Sequence, residues 1–178
     1  MVKSYTFTEK NDFSKKGISV VCAYLSSLKK TISIKNVEED PNYQKNDIDL
    51  VWVYKKEDKE LMFSIEVKAD RYTTGNFWLE TLSNESLGTP GCFVKSKAKY
   101  LFYYFTEWDS MYIMPLGVAK EWFFANLKRF RESKTTTKDE NGNYRHTTVG
   151  RIVPINIMMK EVGGIKLIKN ISVKVNNS

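Results

Sequence analysis

The chain has 178 residues, enough for a sizeable hydrophobic core, and its 42% hydrophobic and 28% charged residues are those of a soluble globular protein. No apolar run nears the roughly 20 residues that span a bilayer, and Met1-Val2-Lys3-Ser4-Tyr5 lacks the apolar core of a signal peptide. Cys22 and Cys92 are too far apart to suggest a disulfide framework or a cysteine metal site, so a cytoplasmic protein with no membrane partner is expected, and its net charge of +7 favours a polyanionic one.

Ile18, Val21, Cys22, Leu25 and Leu28 recur at three- and four-residue steps, which predicts an amphipathic helix over 18–28 with Asp12 or Ser14 as its cap. Thr31 to Val37 reads as a short strand, and Glu38 to Lys45, with Pro41, as a loop. Asn46 to Tyr54 is rich in β-branched and aromatic residues and reads as a second strand. In Glu60 to Lys68, Leu61, Phe63, Ile65 and Val67 alternate with Met62, Ser64, Glu66 and Lys68, the period of a strand with one face toward a core. The polar link 55–59 predicts an antiparallel hairpin; centred on Glu57-Asp58, it sets Tyr54 opposite Leu61, Val51 opposite Ser64, Asp49 opposite Glu66 and Asp47 opposite Lys68.

Farther on, Asn76 to Leu82 reads as a strand, Ser83 to Gly91 as a loop and Cys92 to Ala98 as a short helix. The apolar run Tyr100 to Phe105 reads as a buried strand, core rather than a base-stacking platform, with Met111 to Leu116 as its neighbour. Gly117 to Ser133 is predicted helical, Thr135 to Thr148 a hairpin tip or polar loop, and Arg151 to Met159 and Ile165 to Val175 closing strands. With no internal repeat and no linker, residues 1–178 read as a single mixed α/β (α+β) domain.

Two opposed carboxylates at the end of a hairpin repel each other, and a divalent cation removes that cost. Mg²⁺ prefers one or two carboxylates completed by water and phosphate oxygens, which Asp49 and Glu66 would supply. Lys68 shares a face with Glu66, in reach of an attacking water or of charge on phosphorus. The plainer alternative is an exposed ion pair between Glu66 and Lys68 of little energetic worth.

Asp49-Leu50-Val51 entering one strand and Glu66-Val67-Lys68 in the next resemble the signature of the PD-(D/E)XK, or restriction-endonuclease-like, nucleases. Thr74-Gly75-Asn76-Phe77-Trp78-Leu79-Glu80 and the stretch Gly88 to Tyr100 are similar to downstream segments of phage- and resolvase-like members, so the resemblance covers roughly residues 45 to 106. It implies a central mixed β-sheet flanked by helices, with Mg²⁺ or Mn²⁺ on Asp49, Glu66 and the Val67 carbonyl. It implies Lys68 as the catalytic lysine, and Glu80 as a further acid near the metal or holding Lys68. Asp47 competes with Asp49 for the ligand role. The chain departs from the pattern at Asn46, where a proline often stands, and after Gly17, where Ile18, Ser19 and Val20 replace a first-helix glutamate; Glu9 or Asp12 would have to substitute.

Lys95, Lys97, Lys99, Lys128, Arg129, Arg131, Arg145 and Arg151 are candidates for phosphate contacts, each also readable as solvated surface. His146, the only histidine, excludes a histidine-ligated zinc site and is expected in a loop. The expected function is metal-dependent hydrolysis of DNA, duplex or branched, with a homodimer as the candidate assembly. The alternatives are an inactive nucleic-acid- or protein-binding module on the same scaffold, and a structural protein in which the acids and the lysine are accidental.

Overall fold

The hairpin 50–70 has the register that alternation demands. A computed structural model of the chain describes residues 3–172, with side chains described for 13–172. In chain order the elements are β1 (Lys3–Thr6), α1 (Phe7–Ser26), β2 (Thr31–Asn36), α2 (Pro41–Gln44), β3 (Leu50–Lys56), β4 (Lys59–Asp70) and β5 (Asn76–Asn84). There follow β6 (Thr89–Pro90), α3 (Cys92–Lys95), β7 (Tyr100–Phe105), β8 (Ser110–Pro115) and α4 (Leu116–Ala125). A 3₁₀ turn over Leu127–Arg129, β9 (Arg131–Lys138), β10 (Tyr144–Pro154), α5 (Ile155–Glu161) and β11 (Lys166–Lys169) complete the mixed α+β fold. Among the described residues no helix is long and apolar enough to cross a membrane.

The elements gather into two compact units. The first, built mainly from Thr74–Lys95 and Val118–Gly163, carries a sheet in the order β1-β9-β10-β5-β6. Its interior includes Phe77, Leu79, Phe93, Phe123, Val153 and Met158, all 2% exposed or less. The Phe93 and Phe123 rings meet edge to face at 5.1 Å, a geometry that aromatic quadrupoles favour.

The second unit holds Ser14–Thr73, Ser96–Gly117 and the described residues from Gly164 onward, and carries a mixed sheet in the order β11-β8-β7-β4-β3-β2. β4 pairs antiparallel with β3 and parallel with β7. One face of this sheet receives α1. Ile18, Val21 and Leu25 of the helix pack with Leu50, Ile65, Val67, Phe102 and Tyr104 of the strands. The helix approaches closely at Gly17, where a Cβ would stand 2.8 Å from the Ala69 Cβ. The run 100–105 is core, as expected, with Leu101 through Phe105 buried.

Several expected boundaries move, each for a local reason. The first helix starts at Phe7, so Asp12 and Ser14 lie within it rather than capping it. Leu28 falls beyond its end. The loop after β2 holds the short α2, initiated by Pro41 and capped by Asp40, which accepts the Asn42 N–H at 2.9 Å. The helix expected over 117–133 ends at Ala125, because the β-prone Thr135-Thr136-Thr137 segment is drawn into β9 from Arg131 onward. Its apolar pattern misleads at Val118, which is half exposed, and continues past the helix end at Phe130, which is buried.

The segment 135–148 is mostly strand, and only its tip turns, where the Asp139 carboxylate accepts the Asn141 and Asn143 N–H groups. His146 therefore lies on β10 opposite Thr137 rather than in a loop. The strand expected over 151–159 stops at Pro154, which has no N–H to give the ladder and, with φ −58°, leads into α5. The last expected strand is β11 alone, and residues beyond 172 lie outside those described.

The close approach at Gly17 has a measurable consequence. Gly17→Val forces the new side chain against the Ala69 Cβ on β4, and is expected to lower unfolding free energy in urea by about 2 kcal/mol despite its better helix propensity. Lys16→Ala, on the exposed side of α1, is expected to leave it within about 0.5 kcal/mol.

Candidate active site

Backbone pairing carries the predicted register from Lys56↔Lys59 through Tyr54↔Leu61 and Val51↔Ser64 to Leu50↔Ile65. One residue further the pattern changes. The Asp49 N–H donates to the Ile65 carbonyl at 2.9 Å, and the Asp49 carboxylate takes over from the main chain, with Oδ2 accepting the Val67 N–H at 2.7 Å. Asp49 thus closes the ladder with its side chain instead of pairing with Glu66 through the backbone. Among the described residues its Oδ1 accepts no hydrogen bond.

Asp47 leaves the strand altogether. Its φ is +45°, its carbonyl accepts the Ser96 hydroxyl at 2.6 Å, and the β3–β4 backbone ladder ends at Leu50↔Ile65, so Asp47 is not set opposite Lys68 by strand pairing. The Asp49 carboxylate is bonded to the β4 backbone, at the Val67 N–H.

Glu66, Lys68 and Asp70 alternate with the core residues of β4 and lie on the face away from α1. By register Glu66 stands beside Leu101, Lys68 beside Tyr103 and Asp70 beside Phe105. Glu66 is 7% exposed and Leu101 3%. Its carboxylate therefore sits in a dry row, with Oε2 enclosed. Asp70 is held by both oxygens, from the Tyr72 N–H at 2.9 Å and the Tyr103 phenol at 2.7 Å.

Burial pushes the Asp49 carboxyl up to about 6; the Val67 hydrogen bond opposes this, while the negative charges of Glu38 and Asp47 add to it. Glu38 is the neighbour that sequence reasoning missed. It follows β2, whose antiparallel pairing with β3 brings the Val37 N–H to the Asp49 carbonyl at 2.8 Å. The signal was there, in the pairing of the first short strand with the second.

Glu80 stands on β5 in the other unit, where its Oε1 accepts the Cys92 N–H at 3.3 Å. The chain crosses that residue so closely at Gly91 that a Cβ there would lie 2.5 Å from the Glu80 Cγ. Lys95, Lys97, Lys99, Lys128, Arg131 and Arg145 are exposed. Arg129 is exposed too, but its guanidinium is engaged: Nη1 and Nη2 each lie 2.8 Å from a Glu161 oxygen, and Trp122 Nε1 donates to the same carboxylate at 3.0 Å. These bonds pull the Glu161 carboxyl down to about 2. Arg151 is half-buried and pairs with Glu132 at 3.0 Å. Glu9 and Asp12 lie in α1, with side chains outside those described.

The donor set suits a hard cation. Asp49 offers a carboxylate whose ionisation is costly when nothing balances it, and Glu66 a second, buried one. The Val67 carbonyl leaves β4 on the same side as its N–H, beyond the last paired residue of β3. Among the described residues no three His, Cys, Asp or Glu side chains gather round one point. Two carboxylates and a carbonyl are what Mg²⁺ completes with water and phosphate oxygens. No family model, curated protein or solved structure shows a significant match to the chain.

The raised Asp49 carboxyl gives a pH dependence of definite sign. The folded chain holds this proton more tightly than the unfolded one, so ionising Asp49 weakens the fold as pH rises from about 4 to about 6. Without divalent ions, Asp49→Asn is expected to be more stable than the parent by about 2 kcal/mol near pH 7.5, allowing for partial exposure. The two should converge near pH 3.5 in urea titrations.

Proposed function

We propose that the protein is a Mg²⁺- or Mn²⁺-dependent nuclease of PD-(D/E)XK type that hydrolyses DNA phosphodiesters. The observation that carries this reading is the Asp49 carboxylate pinned at 2.7 Å to the Val67 N–H, between buried Glu66 and half-buried Lys68 on one strand. That puts an acid from the end of β3 against the strand bearing the second acid and the lysine, as the sequence resemblance requires.

In this reading Asp49, Glu66 and the Val67 carbonyl hold the ion. The bound ion supplies Lewis-acid stabilisation of charge on the phosphate oxygens and makes water a better nucleophile at neutral pH. The Val67 N–H fixes Asp49 before any ligand arrives, so its orientation costs nothing at the moment of reaction. Burial keeps bulk water from competing for Glu66. Lys68 carries a positive charge on the face of Glu66, placed to orient the attacking water or to offset charge at the phosphorus.

Supercoiled plasmid and a branched oligonucleotide, each incubated with Mg²⁺ or Mn²⁺, test the reading. Parent protein is expected to cleave at least one. Glu66→Gln, Asp49→Asn and Lys68→Ala are expected to lose about 10²-fold or more in rate while keeping the circular dichroism of the parent. Mn²⁺ should raise the melting temperature of the parent and not of Asp49→Asn. Cleavage of equal rate in parent and all three variants would sink the assignment.

A further inference from the structure

We propose that the solvent-facing rows of the six-stranded sheet form a phosphate-binding track for a nucleic-acid strand, anchored by Lys35 and Lys99. Side chains alternate along strands, so Glu66 shares its face with Ser64 and Met62 of β4, Val51 and Val53 of β3, and Ser33 and Lys35 of β2. The row one step from Glu66 reads Lys35, Val51, Ser64 across β2, β3 and β4. It continues onto the segment leading into β7, where the Lys99 N–H donates to the Ser64 carbonyl at 2.9 Å and to its hydroxyl oxygen at 3.0 Å. A lysine therefore flanks Val51 and Ser64 on each side, Lys35 on the edge strand and Lys99 before β7.

Both lysines are exposed, while Val51 and Ser64 between them are half-buried. Three inter-strand steps separate the lysines, about 14 Å, and the row lies about 7 Å from Glu66 along β4. The next row outward is Ser33, Val53 and Met62, and Met62 is 73% exposed. Short of the Asp49 and Glu66 level, the acid on this face is Glu60, set opposite Lys55 by the hairpin register. Lys97, exposed, stands two residues before Lys99, its N–H fixed to the Asn46 carbonyl at 2.8 Å.

A floor that is neutral and partly apolar, flanked by cations and leading to carboxylates, complements a sugar–phosphate chain: phosphates on the lysines, sugars over Val51, Val53 and Met62. The two-residue step from Lys97 to Lys99, at most about 7 Å, is close to the step between successive phosphates of a nucleic-acid strand. A phosphate on Lys99 would lie about one such step from the carboxylates. The track deepens the nuclease reading and rests on it only for which phosphate is cut; the binding stands or falls separately.

The test is anisotropy of a fluorescein-labelled 20-nucleotide DNA, single-stranded and duplex, titrated in EDTA over a range of salt, beside Mg²⁺-dependent cleavage. For whichever form the parent binds better, Lys35→Gln/Lys99→Gln is expected to weaken binding about tenfold or more and to reduce the slope of log K against log salt by about 2. Lys29→Gln/Lys59→Gln, which removes the same charge elsewhere, is expected to change Kd less than threefold. An unchanged Kd and slope in the first variant, an equal loss in the second, or no binding by the parent would overturn the track. Lysine-dependent binding with no cleavage would leave the track standing and defeat the nuclease reading, whereas cleavage with lysine-independent binding would do the reverse.

Discussion

The register between β3 and β4 is the constraint on which the site depends. Leu50, Ile65 and Val67 face α1 and are 6% exposed or less. A slip of one residue would turn every one of them to the opposite face and carry Glu66 and Lys68 under the helix. Exposing a buried Leu, Ile or Val costs roughly 1.5–3 kcal/mol each, so apolar burial alone fixes the side on which the charges emerge. The charged residues need no device of their own to find their face. They are placed by what their neighbours must avoid.

That economy explains how much could be read from the chain. Strands whose two faces differ in polarity were legible, and the hairpin turn at Glu57-Asp58 and its pairing followed from alternation in 50–54 and 61–67. Tyr100 to Phe105 was legible for a different reason, an apolar run too short for a buried helix. What escaped were places where tertiary demand overrides a local pattern. The helical spacing from Val118 to Phe130 continues past the true helix end, because Phe130 is buried whether its backbone is helical or extended. The polar 135–148 segment conceals two strands because Thr is as much a strand residue as a loop residue. In the site, pairing through Leu50↔Ile65 was predictable and the last step was not. No sequence pattern announces that the Asp49 side chain, rather than its backbone, will take the Val67 N–H.

The same region works against the stability of the fold. Glu66 lies in register with Leu101, and Leu101 in turn with Met114, which is fully buried. Asp49 is held near Glu38 and Asp47, whose charges compound the effect of burial. Left to folding alone, an apolar residue would serve better at either position. By contrast the Arg129–Glu161 pair of the first unit is bidentate and exposed, a contact that costs little desolvation and orders the turn after α4. The two kinds of charge in this chain are distinguished by which of them the fold would be better without.

The outermost strand of the six-stranded sheet has a consequence for crowded solution. Among the described residues β2 is an edge strand, the kind of border onto which a second chain can add a strand. Its pairing with β3 slips between Thr31 and Ser33, throwing Ile32 outward as an extra residue, and the opposite border, β11, is only four residues long. A ribbon that is kinked on one border and abbreviated on the other offers no straight template for stacking. The irregularity at Thr31–Ser33 would let the sheet keep an open, hydrated margin at high concentration without growing into a fibre.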